Sequence, residues 1–371
     1  MPEVVVQPAN NGSARRAFLD FPYRIYAQDP VWVAPLRKDQ ARILDFKRHP
    51  FYRHAEAQLF VARRGKEVVG RVAAIVDHNW PPESGKRIGS FGFFESFDSR
   101  ETAEQLVAAA EQWLRGHGAH VMRGPLNPSY TYGSAVLVDG FKDPPTLGTS
   151  YNPPFYDRLL TEAGLHPIKD FFAYTLTAGQ LRGAKALAGR FGLVTPGAKL
   201  RPFDIRQRER EARSIWDLHS RGFTSNYDFV PISVDEVRAI VRDIERFGDQ
   251  RLAQFCEVDG RPAAVVVAFP DWNQALRPAR GRWFPLGWWK ILRARRRITR
   301  IRIFLVCVAP EWQGTGLAGA FLELADRPGL EQYTEVEASW IVESHKTMVR
   351  ALALVGARVY KRYRMYERQI A

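Results

Sequence analysis

Residues 308 to 319 read V-A-P-E-W-Q-G-T-G-L-A-G, preceded by the apolar run I-F-L-V-C-V and followed by A-F-L-E-L-A. This is a corner of small residues at which a strand is expected to turn into a helix. The first amides of a helix have no intrahelical partner and carry partial positive charge, so a pyrophosphate can settle on them if no side chain bars the approach. Gln313, Gly314, Thr315, Gly316, Leu317 and Ala318 form that corner. Further on, E-A-S-W-I-V-E at 337 to 343 reads as a strand. A period of two puts Glu335, Glu337, Ser339, Ile341 and Glu343 on one face, which makes Glu337 and Glu343 candidate general bases. The competing reading is that these carboxylates are solvated or paired with the many arginines.

The elements that must position these groups recur. A-Q-L-F-V-A-R-R-G-K-E-V-V-G-R-V-A-A-I-V at 57 to 76 and A-Q-F-C-E-V-D-G-R-P-A-A-V-V-V-A-F at 253 to 269 both read as hairpins with a glycine near the reversal. A helical stretch with a proline turn precedes each, and Ser233 with Glu236 fits a capping box before the second. After each hairpin come a strand, a helix (Glu101 to Arg115; Leu317 to Ala325), a strand, a helix and a strand. Gly164, Lys169 and Tyr174 match Gly356, Lys361 and Tyr366 in spacing. The pattern predicts an internal duplication, with domains at 1–176 and 198–371 and a glycine-rich link between them, able to form a short helix. Each domain is expected to be α/β (α+β), a mixed, mostly antiparallel sheet flanked by helices.

Composition narrows the class. The chain has 371 residues, 46% of them hydrophobic, enough for two cores. Its two cysteines, Cys256 and Cys307, sit in predicted strands and supply neither a disulfide framework nor a four-ligand zinc site, so no metal is expected. M-P-E-V-V-V-Q-P-A-N-N-G lacks the basic and apolar regions of a leader, and no long apolar run follows, which predicts a soluble cytoplasmic protein. The net charge of +14 predicts attraction to an anion: nucleic acid, a membrane surface, an acidic carrier protein or a phosphorylated cofactor. Zinc-finger, RNA-recognition and basic-zipper patterns are all lacking, which argues against nucleic acid.

Three readings compete for the glycine corner. A close-packed strand-to-helix turn explains most such corners. Gly314, Gly316 and Gly319 also satisfy G-x-G-x-x-G, but a hairpin rather than a parallel strand precedes them, against a dinucleotide fold. The third reading is Gln313-x-x-Gly316-x-Ala318 directly after a strand. It resembles motif A of the GNAT superfamily of acyl-CoA-dependent N-acyltransferases, written Q/R-x-x-G-x-G/A. The likeness runs from Ile301 to Tyr366, and the repeat extends it to the whole chain as a tandem GNAT-like protein of the uncharacterised bacterial type.

The resemblance implies acetyl-CoA or another acyl-CoA as donor and direct attack by an amine, from a small molecule or a peptide. It implies that main-chain groups of Cys307 and Val308 hold the thioester carbonyl and that Gln313 to Ala318 hold the pyrophosphate. His345 stands where the family often has a cofactor-touching Asn, and Leu352 where it often has the Tyr that protonates the leaving thiolate. Tyr360, Tyr363 and Tyr366 are then the replacement acids, with Tyr363 the central candidate, although alternating aromatics on a strand also read as core.

In the first half, G-F-F-E-S-F-D-S-R-E-T at 92 to 102 lacks the motif, and acidic residues crowd the start of its helix. One acyl-CoA per chain is therefore expected, with the first domain structural or acceptor-binding. Its turn-rich loops place Asn127, Tyr130, Tyr151, Asn152 and Tyr156 as acceptor contacts, with ordinary turn chemistry as the alternative. A non-catalytic tandem module that binds an anionic partner is the other functional class. Residues 277 to 302 carry ten Arg or Lys and no acid, interleaved with Trp283, Phe284, Leu286, Trp288 and Trp289. This segment is either a partly buried aromatic cap or a surface for anionic lipid or an acyl carrier protein, which would add peripheral membrane association.

Overall fold

The computed structural model describes residues 2–190 and 197–370. They form two compact units: Met1–Phe171 with Ala279–Gly287 and Lys361–Ala371, and Phe172–Pro278 with Trp288–Tyr360. Packing therefore groups the last strand's residues and a short insert of the second half with the first unit.

The first half runs β1 (Val4–Pro8), α1 (Gly12–Ile25), α2 (Arg37–Ile43), β2 (Ala55–Arg64), β3 (Glu67–Asp77), β4 (Ile88–Ser96), α3 (Arg100–Gly116), β5 (Val121–Gly124), β6 (Val136–Asp139), α4 (Tyr156–Glu162) and β7 (His166–Thr177). Strands β1 to β4 pair antiparallel in order, and β5 joins β4 in parallel. The near-continuous apolar run of β3 has a simple cause: it is buried on both faces. Val72, Ala74 and Val76 pack with Leu106, Val107, Ala110 and Leu114, one stripe of α3. Ala73 and Ile75 face the opposite way, against Phe18 and Phe51. Helix α3 starts at an N-cap, Ser99, whose Oγ accepts from the Thr102 amide at 3.3 Å.

The second half continues with α5 (Ala178–Arg190), β8 (Lys199–Pro202), α6 (Arg208–Gly222), α7 (Val234–Phe247), β9 (Ala253–Val258), β10 (Arg261–Pro270), α8 (Trp272–Leu276), α9 (Gly287–Ala294), β11 (Arg300–Val308), a 3-10 helix (Leu317–Asp326), β12 (Glu335–Val342), α10 (Lys346–Leu354) and β13 (Arg358–Gln369). Strands β8, β9, β10 and β11 pair antiparallel, and β12 joins β11 in parallel. The expected duplication is visible as hairpin, strand, helix, strand, helix and strand in each half, with β6 added in the first and α8 and α9 in the second. Gly164 and Gly356, both left-handed at φ +83° and +73°, close α4 and α10 before β7 and β13. Both hairpins and the Ser233–Glu236 capping box form where the sequence placed them. The link forms α5, and residues 191 to 196 lie outside the described part.

Two features depart from the expected elements. The helix after the glycine corner is wound as a 3-10 helix, with the Gly319 amide bonded to the Gly316 carbonyl at 2.8 Å, and it stops short of Pro328. The far part of β13 lies beside β5, pairing Tyr366 with Gly124 and Gln369 with Val121, so it completes the first unit's sheet. Among the described residues no helix is long and apolar enough to cross a membrane, and no group of three metal-ligating side chains occurs.

Candidate active site

Strands β11 and β12 are in register only from Arg300/Glu335 to Ile303/Ala338. Among the described residues no ladder joins them beyond that point, and a gap opens between Phe304–Val308 and Ser339–Val342. The side chains of Phe304, Leu305 and Val306 on one lip and Trp340, Ile341 and Val342 on the other are half-buried. The Ala309 amide bonds to Ala263 on β10 at 2.8 Å. Alternation along β11 then turns the Cys307 amide toward β10 and the Val306 and Val308 amides into the gap. The Cys307 thiol lies on neither lip: it donates to the Leu218 carbonyl of α6 at 3.0 Å, and burial pushes it up to about 12.

The C-terminus of α6 holds the glycine corner at the gap's open end. A Cβ on Gly222 would lie 2.6 Å from the Cys307 sulfur, so α6 and β11 pack at backbone distance. Gln313 Nε2 donates to the Gly222 and Val308 carbonyls at 3.0 and 3.1 Å, which explains the amide side chain at that position. Arg221 pairs with Glu311 at 2.7 Å. Leu317 anchors the corner in a cluster with Cys256, Ala263 and Ala264. Gly316 has φ +84°, a conformation that side-chain-bearing residues rarely adopt. A Cβ on Gly314 would meet nothing within 4 Å, so that side of the turn is open. Among the described residues, the amides of Leu317 and Ala318 have no acceptor in the chain. Open space beside unpaired amides suits a pyrophosphate.

A buried polar cluster sits at the root of the gap. Glu337 is almost wholly buried. It accepts from Ser339 Oγ at 2.6 Å and from the Tyr360 hydroxyl. Arg302, its register partner on β11, lies 3.9 Å away and donates to Ser339 Oγ at 3.0 Å. Its guanidinium also stands 5.0 Å from the Trp340 ring centre. Sequence reasoning missed Arg302. The signal was present, because Arg-x-Arg at 300 to 302 and Glu-x-Glu at 335 to 337 are complementary on adjacent parallel strands, and Arg300 pairs with Glu335 at 2.7 Å. Ile341 packs in the cluster of Ala338, Tyr174 and Leu352, so strict alternation ends after Ser339. Glu343 lies beyond β12 in an exposed turn, apart from Glu337. His345 is the N-cap of α10, its Nδ1 accepting from the Met348 amide at 3.3 Å. Tyr363 is buried in the first unit, opposite Leu137 of β6.

The matching gap in the first unit is closed by the chain itself. Pairing of β4 with β5 ends at Ser90/Arg123. Past it, the Leu126 amide donates to the Phe91 carbonyl at 2.9 Å and Asn127 Oδ1 accepts from the Phe93 amide at 2.5 Å. Gly92 tolerates this because it has no Cβ, which would fall 1.6 Å from the Leu126 oxygen. Asn152, Tyr151 and Tyr156 also use their polar atoms within the unit. Asn152 brackets Leu137 through both its amide and its carbonyl, at 2.7 and 3.0 Å. Tyr151 donates to Asp29 at 2.7 Å, and Tyr130 stands edge-on to Trp80. Tyr156 and Tyr26 both donate to Glu95, at 2.8 and 2.6 Å. Burial pushes the Glu95 carboxyl up despite Arg71 beside it. Of the acidic residues in this stretch, Glu95 is thus buried in the core, while Asp98 pairs with Arg158 and Glu101 with Arg64.

No protein-family profile matches the chain. Among curated proteins it is 32% identical over 378 residues to the bacterial ceramide synthase of Caulobacter vibrioides, covering 99% of this chain and 98% of that one. It is 29% identical over 368 residues to protein YghO of Escherichia coli, covering 97% and 94%. A tandem GNAT protein from the clavulanic acid biosynthesis pathway superposes with a TM-score of 0.58 at 15% identity, covering 100% of this chain and 99% of that one. A GCN5-related N-acetyltransferase from Sphaerobacter thermophilus gives 0.55 at 15% identity, covering 99% and 96%. The two halves with their shared order of elements, the glycine corner and this whole-length identity converge: the chain is an acyltransferase built on a tandem GNAT fold and belongs to the family of the Caulobacter bacterial ceramide synthase.

Proposed function

We propose that this protein transfers a fatty acyl group from acyl-CoA to the amino group of a long-chain amino alcohol, the bond that makes a ceramide. The observation that carries the acceptor is the 32% identity, sustained over 99% of the chain, to a protein named for that product. The donor side is supported by the unpaired amides of Leu317 and Ala318 at the mouth of the gap between β11 and β12. In this reading the corner from Gln313 to Ala318 cradles the pyrophosphate and the Val308 amide faces the thioester carbonyl. The amine arrives as an ammonium, which must lose a proton before its nitrogen can attack. Glu337 takes that proton through the hydroxyl of Tyr360 or Ser339. The nitrogen then bonds the carbonyl carbon and the C–S bond breaks. The second nitrogen proton goes to the departing thiolate, leaving amide and free CoA. Glu343, His345 and Tyr363 are held as secondary candidates. A cytoplasmic setting, where acyl-CoA is available, belongs to the same reading.

Incubation with palmitoyl-CoA and a C18 amino diol is expected to yield the N-acyl amide by mass spectrometry, with one thiol released per amide. Thiol release only with short amines or peptides would remove the lipid acceptor. Calorimetric titration with acyl-CoA is expected to give about one site per chain, because only one of the two gaps is open. Two equivalent sites would overturn that division between the halves.

A further inference from the structure

Six of the eleven large apolar side chains exposed among the described residues fall within ten consecutive positions: Trp283, Phe284, Leu286, Trp288, Trp289 and Leu292, each between 39% and 76% exposed. A surface usually scatters such residues singly, so this concentration needs a cause. The backbone beneath is well seated. The Gly281 position packs against Tyr23 and Pro35, leaving 2.7 and 3.0 Å for a Cβ, and Ile291 and Ile298 are buried. The segment is thus anchored by some side chains while presenting others to solvent.

Charge says what should cover them. Arg280, Arg282, Lys290, Arg293, Arg295, Arg296 and Arg297 are all exposed, and no acidic residue lies between 277 and 302. Two cations sit beside the aromatic rings, Arg293 at 5.5 Å from the Trp289 centre and Lys38 at 6.0 Å from Trp283. Tryptophan beside lysine and arginine suits the boundary between headgroups and acyl chains, where the ring is half-solvated and the cation meets phosphate. An acidic protein partner would match the charge and leave Trp288 and Leu292 without an apolar counterpart.

We infer that residues 288 to 297 form a docking surface for an anionic lipid bilayer, with Trp288, Trp289 and Leu292 entering the headgroup region and the arginine run lying over it. The inference goes beyond the proposed reaction and does not depend on it, since it concerns binding to lipid rather than turnover. Flotation of the full chain is expected to recover at least tenfold more protein with vesicles of phosphatidylcholine containing about 30% phosphatidylglycerol than with phosphatidylcholine alone. Recovery should fall in about 0.5 M salt, where the screening length drops to a few ångströms. Trp288→Ser with Trp289→Ser should abolish it, as should R295Q/R296Q/R297Q, while both variants keep native affinity for acyl-CoA. Equal recovery with the two vesicles, no recovery with either, or recovery that survives both sets of substitutions would each overturn the inference. So would retention on an immobilised acidic acyl carrier protein together with no flotation.

Discussion

Replacing Gly316 by Glu is expected to weaken acyl-CoA binding by more than tenfold in isothermal titration, about 1.4 kcal/mol or more. Two effects add. Gly316 sits at φ +84°, where a residue such as Glu costs about 1 to 2 kcal/mol and pulls the turn away from its native geometry. The new carboxylate would then lie beside the Leu317 and Ala318 amides, where it competes with the pyrophosphate and repels it. Gly316→Asn separates the two, because Asn tolerates the left-handed region and brings no charge. The Asn variant should keep a near-native melting temperature and lose much less affinity. A folded Glu variant with native affinity would show that the phosphates sit elsewhere.

Glu337→Gln should lower kcat by about 10² to 10⁴ while leaving acyl-CoA affinity within a factor of about two. Gln keeps the shape of the side chain and one acceptor for Tyr360 or Ser339, so the strand pairing beside it persists. What it removes is the basic oxygen and the negative charge 3.9 Å from Arg302. Tyr360→Phe tests the relay. If Glu337 and Tyr360 act as one unit, the double variant should be hardly slower than the worse single one. A Gln variant that turns over within about threefold of native would remove Glu337 from the chemistry.

The legible parts of this molecule were those whose signals are local. Hairpins, the capping box and the extent of α3 all follow from periodicity, caps and glycines within a dozen residues, and the repeat follows from setting those local signals side by side. The glycine corner was legible for the same reason, although the 3-10 winding of Leu317–Asp326 was not, since propensity does not separate the two windings. What stayed hidden depends on partners distant in sequence. Arg302 meets Glu337 only because two parallel strands share a register. Asn127 was read as a possible ligand contact, yet its acceptor oxygen serves Phe93, 34 positions earlier in the chain. No rule of spacing tells which loop will fill a gap in its own sheet. The exposure of Trp283 and its neighbours was equally unreadable, because an aromatic run looks the same whether it is buried or displayed.

The placement of β13 bears on how the molecule is made. Arg123 of β5 bonds Glu367 across 244 positions of sequence, and β5 and β6 both pair with this final strand. A ribosome adding about 5 to 20 residues per second needs roughly 10 to 50 seconds between those two points. Throughout that interval the edge of β5 lacks the strand that covers it in the finished chain. An open strand edge invites pairing with other chains. The nascent protein therefore carries a timed vulnerability. Slow codons or a stalled ribosome in the second half would lengthen the exposure of a unit whose own coding region was finished long before.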